Sequence, residues 1–425
     1  MMMGYLLARA GVDVSVLEKH GDFFRDFRGD TVHPSTLQLF SELGLAEDLL
    51  RLPHQRVTTF SAVFGDFAFR IADFSHLPLR YRFVAFMPQW DFLNFLAENA
   101  RKFPNFHLEM EHEAVDLLWR DSRAVGVVVK STAGTRHITA DLVVGCDGRH
   151  STVRRCAGLE MAEAGVPIDV LWFRLARHGN EPERTLGRID YGKMLLLLNR
   201  GDYFQAGLLI RKGSFEQIQT AGLPSFRDTV AKIAPFLRDS VGELQSWDQV
   251  KLLTVQINHL RRWYRPGLLC IGDAAHAMSP AWGVGINYAI QDAVAAARIL
   301  GDALQNRRST DDLLPRIQKR REFPVRAVQF LQERAHAGFA NVFDNSGPMR
   351  APWQLKLAVH IPGIQRIVGR AIGIGLRPEH IGSSKPKRAT NRAWIVAGCS
   401  IAAGLALLTA KGGFPRPAGA RNRNV

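Results

Sequence analysis

Two short strings in this chain place carboxylates and glycines where they could hold a large, flat, anionic ligand. Positions 272–294 read GDAAHAMSPAWGVGINYAIQDAV, and positions 146–155 read CDGRHSTVRR. Glycine lets the backbone approach a ligand closely, and the first N–H groups of a helix favour negative charge on the group they face. The two strings are therefore the first candidates for a binding site.

The longer string contains a carboxylate, a stiffened loop and the start of a helix, in that order. Asp273 follows an apolar strand, Pro280 restricts the loop, and the helix that follows starts around position 285. The N–H groups at that start would point at the ligand and stabilise negative charge on it. The candidate binding residues in this string are Gly272, Asp273, Pro280, Gly283, Gly285, Ile286 and Asn287.

The shorter string has the pattern of a strand, a tight turn and a helix. Asp147 would project from the strand end, Gly148 would form the turn, and Ser151 would cap the helix that follows. Asp-Gly is also a common turn pair, so a purely structural role for Asp147 and Gly148 remains an alternative at this point.

The beginning of the chain resembles the second half of a βαβ unit. A helix is predicted over 3–10, Gly11 ends it, and a strand over 12–18 closes on Glu18. In a dinucleotide-binding fold such an acid accepts hydrogen bonds from the ribose, although any exposed strand end can carry Glu. The glycine fingerprint is expected about 20 residues before this acid, which is upstream of Met1.

Further elements are predicted from hydrophobic periodicity. Ser35 is expected to cap a helix over 35–50, and three strands are predicted within 115–148, the last of them an apolar, buried parallel strand. Other helices are predicted over 89–102, near 225–238, over 286–304 and over about 311–338.

The pattern between about 159 and 261 differs, because strand-like runs there suggest a mixed or antiparallel sheet. The fold class predicted is α/β: a Rossmann-like dinucleotide-binding domain, truncated at its N-terminus, with an inserted mixed or antiparallel sheet domain; the family resemblance given next implies that the first is an FAD-binding domain and the second a substrate domain. The predicted domains are 1–64, 88–158 and 262–345 for the cofactor, 65–87 and 159–261 for the substrate, and 346–425 as a C-terminal helical extension.

Together the two strings resemble motifs of class A FAD-dependent monooxygenases, the para-hydroxybenzoate hydroxylase-like family. The longer string is similar to G-D-A-A-H-x-x-x-P-x-x-G-x-G-x-N-x-x-x-x-D-A, and the shorter to D-G-x-x-S-x-x-R. The resemblance covers residues 1 to about 380, and the upstream G-x-G-x-x-G element is its one departure. The resemblance implies that FAD is the cofactor and that NADPH or NADH is the reductant.

The resemblance also implies roles for the residues of the longer string. Asp273 would bind the ribityl or pyrophosphate part of FAD, and Pro280 would line the region where oxygen reacts. Gly285, Ile286 and Asn287 would contact the edge of the isoalloxazine ring.

Residues outside that string receive roles in the same way. Asp147 would lie near the pyrophosphate, and Glu18 would bind the ribose. Arg28, in FRGDTVHPSTL, matches an arginine that contacts FAD phosphate, and Gln89, in MPQWDFL, matches the glutamine that opens the next helix.

The implied reaction is hydroxylation of an aromatic or polyketide-like small molecule through a flavin C4a-hydroperoxide. Trp172, Tyr191 and Tyr203 are candidates for the substrate side, with a core role as the alternative for each. Alternatives for the whole chain are a flavin-dependent reductase of isoprenoid lipids and a cofactor-deficient, non-enzymatic relative. A flavin halogenase is disfavoured because no Trp-x-Trp-x-Ile-Pro-like string is present.

Charge and composition exclude some classes of partner. The net charge is +15, but no basic-aromatic stripe is present, so nucleic acid is not expected. No metal site is expected, and His276 and His33 are assigned packing or capping roles. The four cysteines form no CxxC pair, which indicates a reducing, cytoplasmic compartment.

One C-terminal stretch leaves membrane association open. Positions 393–410 read AWIVAGCSIAAGLALLTA, without a charge over 18 residues. This is short for a spanning helix, so a packed helix and a membrane-associated helix both remain interpretations. The oligomeric state is not predicted.

Overall fold

The computed structural model describes residues 1–24, 31–179 and 186–382. Arg28 and the stretch 393–410 lie outside these residues.

Most predicted helices are present, with ends within a few residues of the prediction. The helices are Met2–Arg9 (α1), Pro34–Glu42 (α2), Ala46–Leu49 (α3), Gln89–Ala100 (α4), Thr152–Cys156 (α5), Phe215–Thr220 (α6), Leu223–Ile233 (α7), Gly285–Gln305 (α8), Leu314–Val342 (α9), Trp353–Val359 (α10) and Ile364–Gly373 (α11).

The strands of the first half of the chain alternate with these helices. They are Val14–Glu18 (β1), Thr31–Val32 (β2), Gln55–Val57 (β3), Thr59–Phe64 (β4), Phe67–Asp73 (β5), Val84–Phe86 (β6), Phe106–Met110 (β7), Glu113–Arg120 (β8), Arg123–Ser131 (β9), Gly134–Thr139 (β10) and Val143–Gly145 (β11).

The strands of the second half lie mainly in the predicted sheet module. They are Met161–Ala164 (β12), Ile168–Ala176 (β13), Leu186–Asp190 (β14), Lys193–Asn199 (β15), Tyr203–Arg211 (β16), Lys251–Thr254 (β17), Ile257–Leu260 (β18), Tyr264–Arg265 (β19), Leu268–Cys270 (β20) and His276–Ala277 (β21).

Parallel strand pairs build the cofactor part of the molecule, as the prediction of an α/β fold requires. β1 pairs with β7, and β11 pairs with β20, both in parallel. The helix α1 packs on α8 and on α4, and its apolar residues from Met2 to Ala8 belong to the largest core cluster. This packing places α1, which ends just before Gly11, against α8, the helix that follows the start of the longer motif.

The substrate module is a seven-stranded mixed sheet in the order β17-β13-β16-β15-β14-β4-β5. Its pairs are antiparallel except for β14 with β4, which run parallel. The helix α7 packs on one face through Phe226 and Val230, which join the core cluster around Phe173 and Leu208. The prediction of a mixed or antiparallel sheet is therefore confirmed.

The strand β4 belongs to this sheet, since its residues pair with β5 and β14. The sequence predicts residues 59–64 in the cofactor domain, whereas the pairing places them in the seven-stranded sheet. The rest of the domain division remains a prediction.

Two local predictions were wrong. The helix predicted over 35–50 starts one residue earlier, with His33 rather than Ser35 as its N-cap, and it is interrupted after α2. Gly44 there adopts a φ of +77°, a left-handed conformation that ends a helix. The strand predicted at the end of 115–148 is two strands, because β10 pairs antiparallel with β9 whereas β11 pairs with β20.

Among the described residues, no helix is long and apolar enough to cross a membrane.

Candidate functional site

The two motifs begin side by side at one edge of a sheet. Gly145, the last residue of β11, is the register partner of Cys270, the last residue of β20. Asp147 and Asp273 therefore follow neighbouring parallel strands at their carboxyl ends. Ligands of open α/β sheets bind in this position.

Asp147 is held by hydrogen bonds within its own segment. Its carboxylate accepts hydrogen bonds from the Ser151 hydroxyl at 2.5 Å and from the Val153 amide at 3.1 Å. Ser151 is the N-cap of α5 and accepts a hydrogen bond from the Arg154 amide at 3.0 Å. Gly148 has a φ of +81°, which forms the tight turn. The predicted cap is confirmed.

Two arginines of the shorter motif join it to the longer one. Arg149 Nε donates a hydrogen bond to Asp273 Oδ2 at 3.2 Å, in a half-buried ion pair. Arg154 Nη1 donates to the Ala274 carbonyl at 3.0 Å. The two carboxylate segments therefore form one structural unit.

The longer motif also contains a buried group of charges. The imidazole Nε2 of His276 lies 2.5 Å from Asp292 Oδ2, and Arg321 Nε donates to Asp292 Oδ1 at 2.8 Å. The Gly272 amide donates to the same carboxylate at 3.2 Å. Asp292 on α8 thus ties the turn at Gly272 to α9. His276 is itself buried, and its packing role stays a prediction.

The neighbours of Asp292 fix its charge. Burial alone would raise the pKa of this carboxyl, but His276 and Arg321 more than offset that effect and hold its pKa below the usual range. The side chain is therefore an anion, paired with Arg321, although it is fully buried.

The loop before Pro280 is held by three polar residues on one face of α9. Gln332 accepts a hydrogen bond from the Ser279 amide and donates one to the Ser279 carbonyl, both at 3.1 Å. Gln329 donates to the Ala277 carbonyl at 2.9 Å. The Ser279 hydroxyl and His336 Nε2 lie 2.9 Å apart.

These three α9 residues lie at spacings of three and four, so they share a helix face. All are buried, and burial lowers the pKa of His336 to about 4. His336 is therefore a neutral imidazole at physiological pH. The result is a loop whose backbone position depends on a helix some fifty residues later in the chain.

Gly283 and Asn287 make close contacts within the protein, and their contacts with a ligand stay predictions. A Cβ on Gly283 would lie 2.2 Å from the Thr31 hydroxyl, so the close approach is to Thr31. The Asn287 side chain accepts from the His33 amide at 2.9 Å and donates to the Thr31 carbonyl at 3.0 Å. Both residues fasten the β2–α2 segment to the start of α8, and a cofactor contact of the Asn287 backbone remains a prediction.

Gly285 and Ile286 open α8, which is preceded by a 3-10 turn over Ala281–Gly283. A Cβ on Gly285 would meet nothing within 4 Å. The first N–H groups of a helix have no acceptor within it, so this start can receive an anionic group. Trp282 in the preceding turn has a φ of +68°, an uncommon conformation for a large side chain.

Glu18 lies at the end of β1 and accepts a hydrogen bond from the His20 amide at 3.0 Å. Its contact with a ribose stays a prediction.

Gln89 is the first residue of α4 and is partly exposed; its contact with a cofactor stays a prediction, as does that of Arg28. Among the described residues, no group of three His, Cys, Asp or Glu side chains could hold a metal ion.

The three aromatic candidates of the substrate module lie in different settings. Trp172 is buried in an apolar cluster with Phe86, Val170 and Leu209. Tyr203 is half-buried beneath the guanidinium of Arg174, 5.0 Å from its ring centre. Tyr191 lies in a turn with a φ of +49°. Of the three, Trp172 belongs to the apolar cluster that also includes Phe86 of β6 and Ile257 of β18, two strands outside the seven-stranded sheet.

Sequence reasoning did not single out the residues that assemble the site from a distance. Spacing alone could not link them, because their partners lie up to 124 residues away. The feature of the sequence that could have revealed some of them is the set of polar residues at spacings of three and four on an otherwise apolar face of α9. These residues are Arg149, Asp292, Arg321, Gln329, Gln332 and His336.

Comparison with known proteins gives a consistent result. A family model described as an FAD binding domain matches residues 1–331. The 6-methylpretetramide 4-monooxygenase of Streptomyces rimosus is 30% identical over 323 residues, covering 76% of this chain and 77% of that protein. The dialkyldecalin synthase of Streptomyces rugosporus is 27% identical over 308 residues, covering 69% of this chain and 61% of that protein.

A solved structure agrees in fold. The anhydrotetracycline hydroxylase from Streptomyces rimosus has a TM-score of 0.68 at 21% sequence identity, covering 88% of this chain and 73% of that chain. At this identity the likeness concerns the fold.

Proposed function

The chain belongs to the FAD binding domain family of flavoprotein monooxygenases, and from that premise we propose that it hydroxylates an aromatic or polyketide-like small molecule with FAD and NADH or NADPH. The observation that carries the proposal is the convergence of Asp147, Asp273 and the start of α8. The first two follow adjacent parallel strands, and Arg149 joins one segment to the other.

The residues present suit FAD. Asp273 is partly exposed and offers an acceptor to hydroxyl groups, as the ribityl chain requires. The space beside Gly285 is open, so a flat ring can approach the backbone there. Bound FAD would supply the activation of molecular oxygen and the transfer of one oxygen atom to the substrate.

The protein's own contribution is orientation and electrostatics. The N–H groups at the start of α8 would stabilise negative charge on a ring placed against them. Arg149 balances the charge of Asp273, which reduces repulsion of a diphosphate nearby. The α9 side chains hold Ser279, and with it Pro280, at a fixed distance from the helix start.

The support for an aromatic or polyketide-like substrate comes from the relatives, two of which are named for action on 6-methylpretetramide and anhydrotetracycline. Trp172 lies in a packed apolar cluster that combines strands of the seven-stranded sheet with Phe86 of β6 and Ile257 of β18. A multi-ring substrate requires an apolar cavity beside such a cluster.

The test is a titration of the purified chain with FAD, followed by oxidation of NADH or NADPH with and without oxygen. We expect a flavin absorption spectrum shifted by binding and a consumption of reductant that requires O2 when a suitable aromatic compound is present. A chain that binds no FAD contradicts the proposal. A chain that reduces a substrate equally well without O2 is a reductase of the same fold.

A further inference from the structure

The helix α10 exposes a row of large apolar side chains. Trp353, Leu357 and Ile361 follow one another at spacings of four, and their exposed fractions are 70%, 62% and 51%. Trp353 and Leu357 share a face of α10, and Ile361 lies in the turn just after the helix, where its amide donates a hydrogen bond to the Ala358 carbonyl at 3.2 Å. We call this row the α10 stripe. Apolar side chains this exposed and this close together mark an interaction surface.

The surroundings of the α10 stripe are basic. Arg350, Lys356, Arg366 and Arg370 are all exposed. Between residues 346 and 382 the single acidic residue is Glu379, which is buried and paired with Arg320 at 2.7 Å. Within this stretch of the sequence no exposed carboxylate offsets the positive charge, although the neighbouring β5 brings the exposed Asp66 next to Phe67, whose ring Lys356 contacts.

The charge continues beyond the stripe in the sequence. Residues 346–425 contain 13 Lys and Arg residues against one acidic residue, so most of the net charge of +15 lies in this part of the chain. It also contains the uncharged stretch 393–410, with basic residues on both sides. The family match ends at residue 331, so this basic, apolar region lies outside the part shared with the family model.

We propose that the α10 stripe docks on the surface of a membrane that contains anionic phospholipid. A helix that buries Trp and aliphatic side chains at the boundary of the headgroups while basic residues meet lipid phosphates is the usual form of interfacial binding. Each basic residue near an anionic surface adds attraction that salt screens. A second protein copy fits less well, because two such surfaces would bring like charges together.

The experiment is flotation of the full chain with vesicles of phosphatidylcholine alone or with one quarter phosphatidylglycerol. We expect binding to the anionic vesicles, weakened by added salt. The triple variant Trp353→Gln/Leu357→Gln/Ile361→Gln should partition onto the anionic vesicles about tenfold more weakly, as calculated from the bound fraction. The variant Trp353→Phe, which keeps an apolar aromatic ring, should bind like the original chain.

A matched control removes exposed apolar side chains elsewhere. Trp119 and Leu252 have exposed fractions of 39% and 43%, and the variant Trp119→Gln/Leu252→Gln should bind vesicles unchanged. Equal binding by the triple variant would overturn the proposal, since another segment would then account for it. Equal binding to both kinds of vesicle would also overturn it. The proposal would also be overturned if the triple variant lost self-association, measured by sedimentation, while its vesicle binding was unchanged.

Discussion

The two halves of the candidate site are stabilised in different ways. The turn around Asp147 is closed by hydrogen bonds within about six residues, from Ser151 and from the amide of Val153 to its carboxylate, although Arg149 and Arg154 of the same segment extend to the longer motif. The segment from Gly272 to Asn287 depends on partners from α9, from Arg149 and from the β2–α2 region. The first is a local turn, and the second is a loop whose position is set by tertiary contacts.

This difference predicts which changes disturb the whole site. Loss of a local cap should loosen one turn, whereas loss of a long-range contact should release the loop that carries Pro280 and the start of α8. The predictions below compare the two cases, from the largest expected effect to the smallest.

The largest effect is expected for Asp292→Ala. It leaves Arg321 and His276 buried without the carboxylate that both contact, and breaking a buried ion pair in this way costs about 3–5 kcal/mol. Urea denaturation measures the loss. The control is Asp302→Ala on the same helix, where the side chain is 80% exposed. If both variants lose the same stability, the buried network does not anchor the motif.

The free energy of unfolding is expected to depend on pH through buried histidines, with an effect of similar size. Burial lowers the pKa of His336 to about 4, while the unfolded chain titrates near 6.5. Between these values only the unfolded state binds the proton, so the free energy of unfolding falls as the pH decreases from 6.5 to 4.

The expected share of His336 in this fall is about 3 kcal/mol. His33, whose pKa burial also lowers to about 4, contributes in the same direction. Unfolding measured against pH should be flatter in His336→Gln and unchanged in His137→Gln, which replaces an exposed histidine. A profile in His336→Gln as steep as the original would show that His336 is protonated in the folded protein.

A smaller effect on stability, with a selective effect on the cofactor, is expected for Gln332→Ala. It leaves the amide and carbonyl of Ser279 without their partner, at a cost of about 1–3 kcal/mol. Gln318 on the same helix makes the same two kinds of bond to Trp263 and Arg261, away from the motif loop. Gln318→Ala should lower stability without changing FAD affinity, whereas Gln332→Ala should change both, as urea denaturation and flavin titration would show.

The smallest effect is expected for Ser151→Ala. It removes an N-cap whose loss costs about 1 kcal/mol, together with one of the two hydrogen bonds to Asp147. Thermal unfolding should show a modest shift, and the loop before Pro280 should be unaffected. A loss as large as that of Asp292→Ala would mean that the local segment, too, supports the whole site.

The contrast between local and long-range contacts explains which features could be predicted from the sequence. The Ser151 cap, the Gly148 turn and the helix after Gly285 are set by neighbouring residues, and they were predicted. The helix over 35–50 was predicted without its interruption, because its apolar spacing continues past Gly44. The pairing of Gln332 with Ser279 and of Arg321 with Asp292 depends on where α9 packs, which no local pattern encodes. Gly283 was recognised as a position of close approach, but its partner is Thr31.

The most direct test is the dissociation constant for FAD of the unmodified chain and of Gly285→Leu, measured by flavin fluorescence. A Cβ added at this position meets nothing within 4 Å in the protein, so we expect the variant to fold, while a ring placed against the start of α8 would be displaced. We predict one FAD bound per chain and an affinity at least about tenfold weaker in the variant, a difference of roughly 1.4 kcal/mol. Equal affinity in both proteins, or no binding of FAD at all, would contradict this account.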